Sequence, residues 1–443
     1  MTIVSRVTQA MQAVLTESAT ESGRTSGVIQ RVRKFTGTTL AQTLVFGFLA
    51  NPRASGHDLA CCAAKCGVDV SPQAIDQRFT PALVVFLQEL VYKAIQQVVA
   101  AEASCCELLR RFNGVYLTDS TTLQLPDEYA EQWPGCGTGR GGGLAGLKLQ
   151  LRLDWLTGGI SHLLQEPARD PDQKTSLQQT SHPRGALRLA DLGYFCLKTL
   201  RNMAAEGVYF ISRIQSQTAV FETSGQPREL LAWLAEQWCG PALDLQVLLG
   251  TRARLACRLL ACRVPEEVAA RRRQKLRETC LRKGRTPSQE RLAWCDWTIF
   301  ATNVEPERLT WSECVVLYRT RWQIELIFKL WKSEGQLAQA TPGAPHRQMA
   351  VLLARLLAMI FVHWLLLCSV WHLPERSLRK AAQYLRNFAL SLAGCLGQPE
   401  QLAAELTAMA NVLKRVAKIN KRRKKPSHHQ LLENPQLLEY ALT

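Results

Sequence analysis

Up to about Arg111, apolar and polar positions alternate at the spacing of helices; from Asn113 the spacing shortens to that of strands, and from about Thr310 it lengthens again. In the first region His57–Phe79 predicts helix, tight turn, helix. Gly67 falls where a left-handed C-terminal residue is needed, and Ser71-Pro72 supplies an N-cap followed by a first-turn proline. Two readings fit: a helix-turn-helix, whose second helix enters a DNA major groove, or a plain helical hairpin in a bundle. Pro81 then opens a long helical run ending near Arg110 and Arg111.

Gly114–Thr118 predicts a strand that ends in Asp119. The glycine-rich loop Gly135–Gly146 matches neither a phosphate-binding loop nor a dinucleotide fingerprint. Leu147, Leu149, Leu151 and Leu153 alternate with Lys148, Gln150, Arg152 and Asp154, the period of a half-buried strand, and Gly159–Gln165 is its hairpin partner. Ala186–Ala190 predicts a strand ending in Asp191, Phe195–Glu206 a helix and Val208–Ile214 a strand, so a mixed α/β sheet is expected. Residues 215–296 interrupt it. Strand-like runs there lead into a basic helix, Pro265–Gly284, with Arg271, Arg272, Arg273, Lys275, Arg277, Arg282 and Lys283; this is either a solvated face or a nucleic-acid contact. Trp297–Val304 resumes the sheet, and Thr310–Lys332 is one helix. The expected boundaries are a helical N-terminal region over 1–111, DNA-binding on the helix-turn-helix reading, core over 112–214, insertion over 215–296, core over 297–338, and a helical C-terminal region over 339–443.

Charge narrows the partner. The 443 residues carry 54 Lys plus Arg against 37 Asp plus Glu, a net charge of +17. Such a balance favours a polyanion, nucleic acid before an anionic membrane. The run Lys414–Lys425 adds a basic tail, either a solubilising end or a DNA contact. Met349–Trp371 is long enough to span a bilayer, but Arg355 and His363 lie inside it and no second such segment exists, so a buried core helix and no membrane association are expected. The 15 cysteines include no C-x-x-C pair, and Met1–Gln30 lacks a secretory apolar stretch. Reduced thiols in a cytoplasm follow, without a zinc site.

The 310–332 helix holds the candidate chemistry. At about 100° per residue from Tyr318, Arg321 falls near −60°, Glu325 near −20° and Lys332 near −40°, one arc of about 60°. Ile324, Leu326, Ile327, Phe328, Leu330 and Trp331 fill much of the remaining circumference, so a mostly buried helix keeps a carboxylate between two cations and a phenol. Asp119 and Asp191 each follow an apolar strand. Three such carboxylates can hold two Mg²⁺ ions about 4 Å apart, the arrangement for in-line displacement at phosphorus. Residue by residue the alternatives stand: an Asx turn for Asp119, a helix N-cap for Asp191, an intrahelical ion-pair network for Glu325.

The segment Tyr318–Lys332 (YRTRWQIELIFKLWK) reads Tyr, two residues, Arg, three residues, Glu, six residues, Lys. It resembles the signature of the insertion-sequence-four family of DDE transposases. Leu117–Thr121 (LTDST) resembles that family's first catalytic Asp motif and Leu189–Phe195 (LADLGYF) its second, with Leu192 where relatives often carry Arg. The resemblance covers about residues 30–370 and is strongest over 290–335. It implies an RNase H-like core interrupted by a mainly β insertion. It implies Asp119, Asp191 and Glu325 as a triad for two Mg²⁺, with Mn²⁺ as a substitute. Tyr318, Arg321 and Lys332 would hold DNA phosphates, and Trp297 (or Trp294) would stack on a flipped base; a core tryptophan is the other reading of Trp297. The activity implied is cut-and-paste transposition by a homodimer bound to terminal inverted repeats and target DNA, through a hairpin, in a bacterial cytoplasm at the nucleoid. A non-catalytic DNA-binding protein and an RNase H-like nuclease without strand transfer are the rivals.

Overall fold

The computed structural model describes residues 1–137, 143–419 and 426–438. The centre of the glycine-rich loop (138–142) and the Lys421–Lys425 part of the basic tail lie outside the described residues. The chain is mixed α/β, as expected. Among the described residues there are ten strands: β1 (Val115–Gln124), β2 (Gly146–Asp154), β3 (Ile160–Pro167), β4 (Leu187–Ala190), β5 (Tyr209–Arg213), β6 (Val220–Glu222), β7 (Pro227–Arg228), β8 (Leu243–Leu249), β9 (Leu255–Arg263) and β10 (Trp297–Thr302). Two compact units are distinguished. One comprises residues 1–103, 120–170 and the described part of 325–421; the other comprises 104–119, 171–324 and the described part of 422–443.

The first unit is built around the helix Pro345–Leu367, which packs on the helices Pro81–Gln96 and Gly37–Ala50. It is apolar and long enough to cross a membrane, yet it is buried inside the protein from Met349 to Leu367. Its two buried polar residues, Arg355 and His363, are satisfied by main-chain carbonyls. Arg355 donates to the carbonyls of Pro52 (2.7 Å), Gln336 (3.3 Å) and Gln339 (3.2 Å). His363 Nε2 lies 2.8 Å from the Gly158 carbonyl, and burial pulls its pKa down to about 4. That is how a core helix accommodates polar side chains.

The predicted hairpin of helices is present: Gly56–Lys65, Gly67 at φ +77°, then Pro72–Asp76 with Ser71 accepting from the Ala74 amide. The second helix is only five residues long. The helix from Pro81 stops at Gln96, where Gln97 turns extended (φ −80°, ψ 90°), and only a short helix, Glu107–Arg110, comes after it. The run expected to reach Arg111 is therefore broken. Strands β2 and β3 pair antiparallel, as expected. β2 is buried on both faces rather than one: Lys148, Gln150 and Arg152 are all enclosed, with Lys148 Nζ donating to the Asp170 carbonyl.

In the second unit β1, β4 and β5 run parallel in that order; β10 is antiparallel to β5, and β9, β8, β6 and β7 continue antiparallel. Val115, Leu117, Leu187, Leu189, Phe210 and Ile211 are buried apolar residues of the three parallel strands, which holds these strands in place. Residues 215–296 contain β6–β9 together with the helices Leu230–Gln237, Glu266–Arg282 and Gln289–Ala293. The end of β10 is pinned by Asn303, whose side-chain amide accepts from the Phe210 N–H (2.8 Å) and donates to the Val208 carbonyl (2.9 Å). Arg258 on β9 anchors the loop after β10. It pairs with Asp244 and donates to the carbonyls of Val304 (2.7 Å) and Leu309 (3.1 Å). A capping box of Thr310 and Glu313 then starts the helix Trp311–Thr320.

Candidate functional site

The ladder between β1 and β4 ends with Thr118 opposite Ala190. The next residues are Asp119 and Asp191, so two carboxylates come side by side where two parallel strands stop pairing. Ligand sites of α/β sheets form at such strand ends. β1 itself runs on to Gln124, so Asp119 lies within a strand, neither at its end nor in a turn. Asp191 does cap a short 3₁₀ turn, Leu192–Tyr194, but only with its main chain: the Tyr194 amide donates to its carbonyl at 3.0 Å, and the carboxylate makes no capping bond. Leu192 packs against the unit's apolar cluster, which accounts for an apolar residue where relatives often carry Arg.

Arg321 joins the two acids. Its Nη1 donates to Asp119 Oδ2 at 2.8 Å, and its Nη2 lies 4.0 Å from Asp191 Oδ1. The Asp119 and Arg321 side chains are only 15% and 14% exposed, which strengthens their attraction, whereas Asp191 is half exposed. The expected single helix 310–332 is two, Trp311–Thr320 and Trp322–Ser333, with Arg321 at the join. Thr320 Oγ1 bonds back to the Leu317 carbonyl (2.6 Å), and the amides of Arg321 and Ile324 reach only three residues back (3.2 Å each). These tighter bonds interrupt the α-helix at the residue whose side chain enters the acid pair.

Tyr318, one turn earlier, is 8% exposed and packs on Phe300 with ring centroids 4.8 Å apart. Its hydroxyl has no hydrogen-bond partner among the described residues. Burial, then the charge of Asp191, pushes its pKa up to about 12, against the opposing charges of Arg321 and Arg213. Arg213, the last residue of β5, was not singled out by sequence pattern; the one signal available was a charged residue closing the apolar run Val208–Ile211, as Asp191 follows that of β4.

Glu325 and Lys332 lie on the helix Trp322–Ser333, in the segment that opens the last part of the first unit. Both are half-buried, and burial lowers the pKa of Lys332. Leu326 is 40% exposed, so the apolar girdle expected around this helix is incomplete; Trp322, beside Arg321, is 42% exposed.

Trp297 opens β10. It is 6% exposed, with Trp238 edge-on at 5.2 Å and the Arg263 guanidinium 5.0 Å from its ring, so it offers no open face. Of the basic helix, Arg272 and Arg273 are turned inward: Arg272 donates to the Trp297 carbonyl (2.9 Å), and Arg273 pairs with Glu266 and Asp296. All 15 cysteines are free thiols.

Among the described residues no three His, Cys, Asp or Glu side chains stand close enough together to hold a metal ion. The donor chemistry nevertheless suits a hard divalent cation: two carboxylates are already gathered around one positive group, beside a buried phenol whose hydroxyl bonds to none of the described residues.

Comparison with known proteins agrees with this chemistry. A family model described as a transposase DDE domain matches residues 110–360, more than half of the chain. The transposase for insertion sequence element IS231F of Bacillus thuringiensis subsp. israelensis is 27% identical over 350 residues, 74% of this chain and 72% of that protein. The transposase for IS1151 of Clostridium perfringens is 28% identical over 311 residues, 65% of this chain and 64% of its own length. The putative transposase InsL for IS186A of Escherichia coli (strain K12) is 26% identical over 253 residues, 55% and 66% respectively.

Proposed function

The chain belongs to the DDE transposase domain family, and on that premise we propose that it is the transposase of a bacterial insertion sequence, acting on DNA in the cytoplasm at the nucleoid by cut-and-paste. The observation that carries this reading is the acid pair Asp119–Asp191 at the end of a parallel ladder, tied to the Arg of the Tyr-Arg-Glu-Lys signature. Asp119, Asp191 and Glu325 are the metal ligands, for two Mg²⁺ ions with Mn²⁺ as a substitute. Bound there, the ions supply a more acidic attacking water or 3′-hydroxyl and neutralise the leaving oxygen.

The remaining residues position DNA. Arg321 offers a planar fork to a phosphate, Lys332 a point charge, and Tyr318 a buried hydroxyl donor with no partner among the described residues. Stacking of a flipped base on Trp297 requires Trp238 and Arg263 to move off its ring. The fold proposed is an RNase H-like core (112–214 and 297–338) interrupted by an insertion (215–296), between a DNA-binding helical region (1–111) and a helical C-terminal region (339–443). A homodimer holds two terminal inverted repeats, nicks each, passes through a hairpin and joins the 3′-ends to target DNA.

The test is a duplex carrying the element's terminal repeat, incubated with Mg²⁺. The wild-type protein nicks it and joins a pre-cut end to plasmid. Alanine at Asp119, Asp191 or Glu325 abolishes both reactions and leaves end binding within about threefold, since the triad contributes no net attraction to phosphate. Nicking without joining identifies a nuclease; binding alone identifies a non-catalytic DNA-binding protein.

A further inference from the structure

The guanidinium of Arg321 occupies the place between the carboxylates that a divalent cation would need. Both Asp119 and Asp191 address it, at 2.8 and 4.0 Å, and the closer pair is largely withdrawn from water. Two neighbouring carboxylates repel each other unless a positive charge lies between them. A guanidinium cannot shed its proton to make room, so it can only move. The backbone around it departs from the regular helix: Arg321 sits at the interruption between two helices, held by three-residue hydrogen bonds instead of the regular ladder.

We propose that Arg321 is the resident counter-cation of the acid pair and competes with the divalent metal, so that metal loading expels its side chain and releases it toward phosphate. This rests on the reading of Asp119 and Asp191 as metal ligands. It adds that one residue links the metal site to the DNA site, and that the metal-free protein is held shut to both. By linkage, a phosphate that captures the expelled guanidinium tightens metal binding by the same factor.

The experiment is calorimetric titration of the full-length, DNA-free protein with Ca²⁺ and with Mn²⁺, paired with the rise in melting temperature that each ion causes. Arg321→Gln is expected to bind either ion about tenfold tighter than wild type and to gain more in melting temperature on ion addition. Arg321→Lys, which keeps the charge on a shorter reach, is expected to fall between them. Asp119→Asn is the control and is expected to lose the binding in both backgrounds. Equal or weaker binding by Arg321→Gln, with Asp119→Asn still abolishing it, overturns the competition. Unchanged binding by Asp119→Asn overturns instead the assignment of the acids as ligands. Should Arg321→Gln fold poorly, Arg321→Lys keeps the question open to refutation, because a competitor of weaker geometry must still raise metal affinity above wild type.

Discussion

Replacing Tyr318 by Phe is expected to stabilise the protein while weakening its hold on DNA. The tyrosine is 8% exposed, and its hydroxyl has no hydrogen-bond partner among the described residues. A buried, unsatisfied hydroxyl costs about 1–3 kcal/mol. Phenylalanine removes that cost, keeps the ring against Phe300 at its 4.8 Å spacing, and gives up only the few dispersion contacts of one oxygen. The net gain is about 1 kcal/mol, a rise in melting temperature of roughly 2–4 °C for a unit of this size. The alkaline limb sharpens the test. The folded pKa of about 12 exceeds the ordinary value of 10, so the phenol's contribution is complete below pH 10 and is lost as pH rises toward 12. In Tyr318→Phe that loss disappears. Binding to a terminal-repeat duplex falls about tenfold, the worth of one hydrogen bond to a charged phosphate, roughly 1.5 kcal/mol. Thermal melts at pH 8 and pH 11, with fluorescence anisotropy for binding, check all three. Destabilisation of the variant by more than about 1 kcal/mol refutes the reasoning, because it means the hydroxyl is already satisfied in the fold.

Two further predictions concern the scaffold. Arg258→Met removes the cation that ties Asp244 to the carbonyls of Val304 and Leu309; leaving those groups unpaired costs about 3–5 kcal/mol in urea unfolding, and a loss below about 1 kcal/mol shows that the clamp is dispensable. His363 is held neutral, its pKa drawn down by burial to about 4 from an ordinary 6.5. Its contribution is therefore complete above pH 6.5 and is lost as pH falls toward 4, so His363→Phe flattens that acid limb relative to wild type, and an unchanged slope contradicts the assignment.

Local chemistry was the legible part of this sequence. Gly67 and Ser71-Pro72 announced a turn and a cap because those conformations depend on the residue itself. Arg355 and His363 marked Met349–Trp371 as core because charged and polar groups need partners, and carbonyls supply them. Properties set by distant packing were not legible. The alternation over Leu147–Asp154 shows one apolar face, yet Lys148, Gln150 and Arg152 are enclosed as well, since period-two patterning does not report what covers the polar face. A wheel drawn at constant pitch from Tyr318 to Lys332 misses the break at Arg321, which arises from a threonine bonding back to the main chain. The acids were visible because each follows an apolar run, although β1 continues past Asp119; that Arg321 bridges Asp119 and Asp191 depends on the register of β1 with β4, which no linear pattern encodes.

The most direct measurement is the anomalous signal of Mn²⁺ in crystals of the protein bound to a terminal-repeat duplex. Peaks in the first coordination shell of Asp119, Asp191 and Glu325 are expected, with the Arg321 guanidinium turned away onto a phosphate. Manganese bound elsewhere, or a fully loaded complex in which Arg321 still bridges the two aspartates and Glu325 contacts no ion, would contradict the metal centre proposed for this transposase.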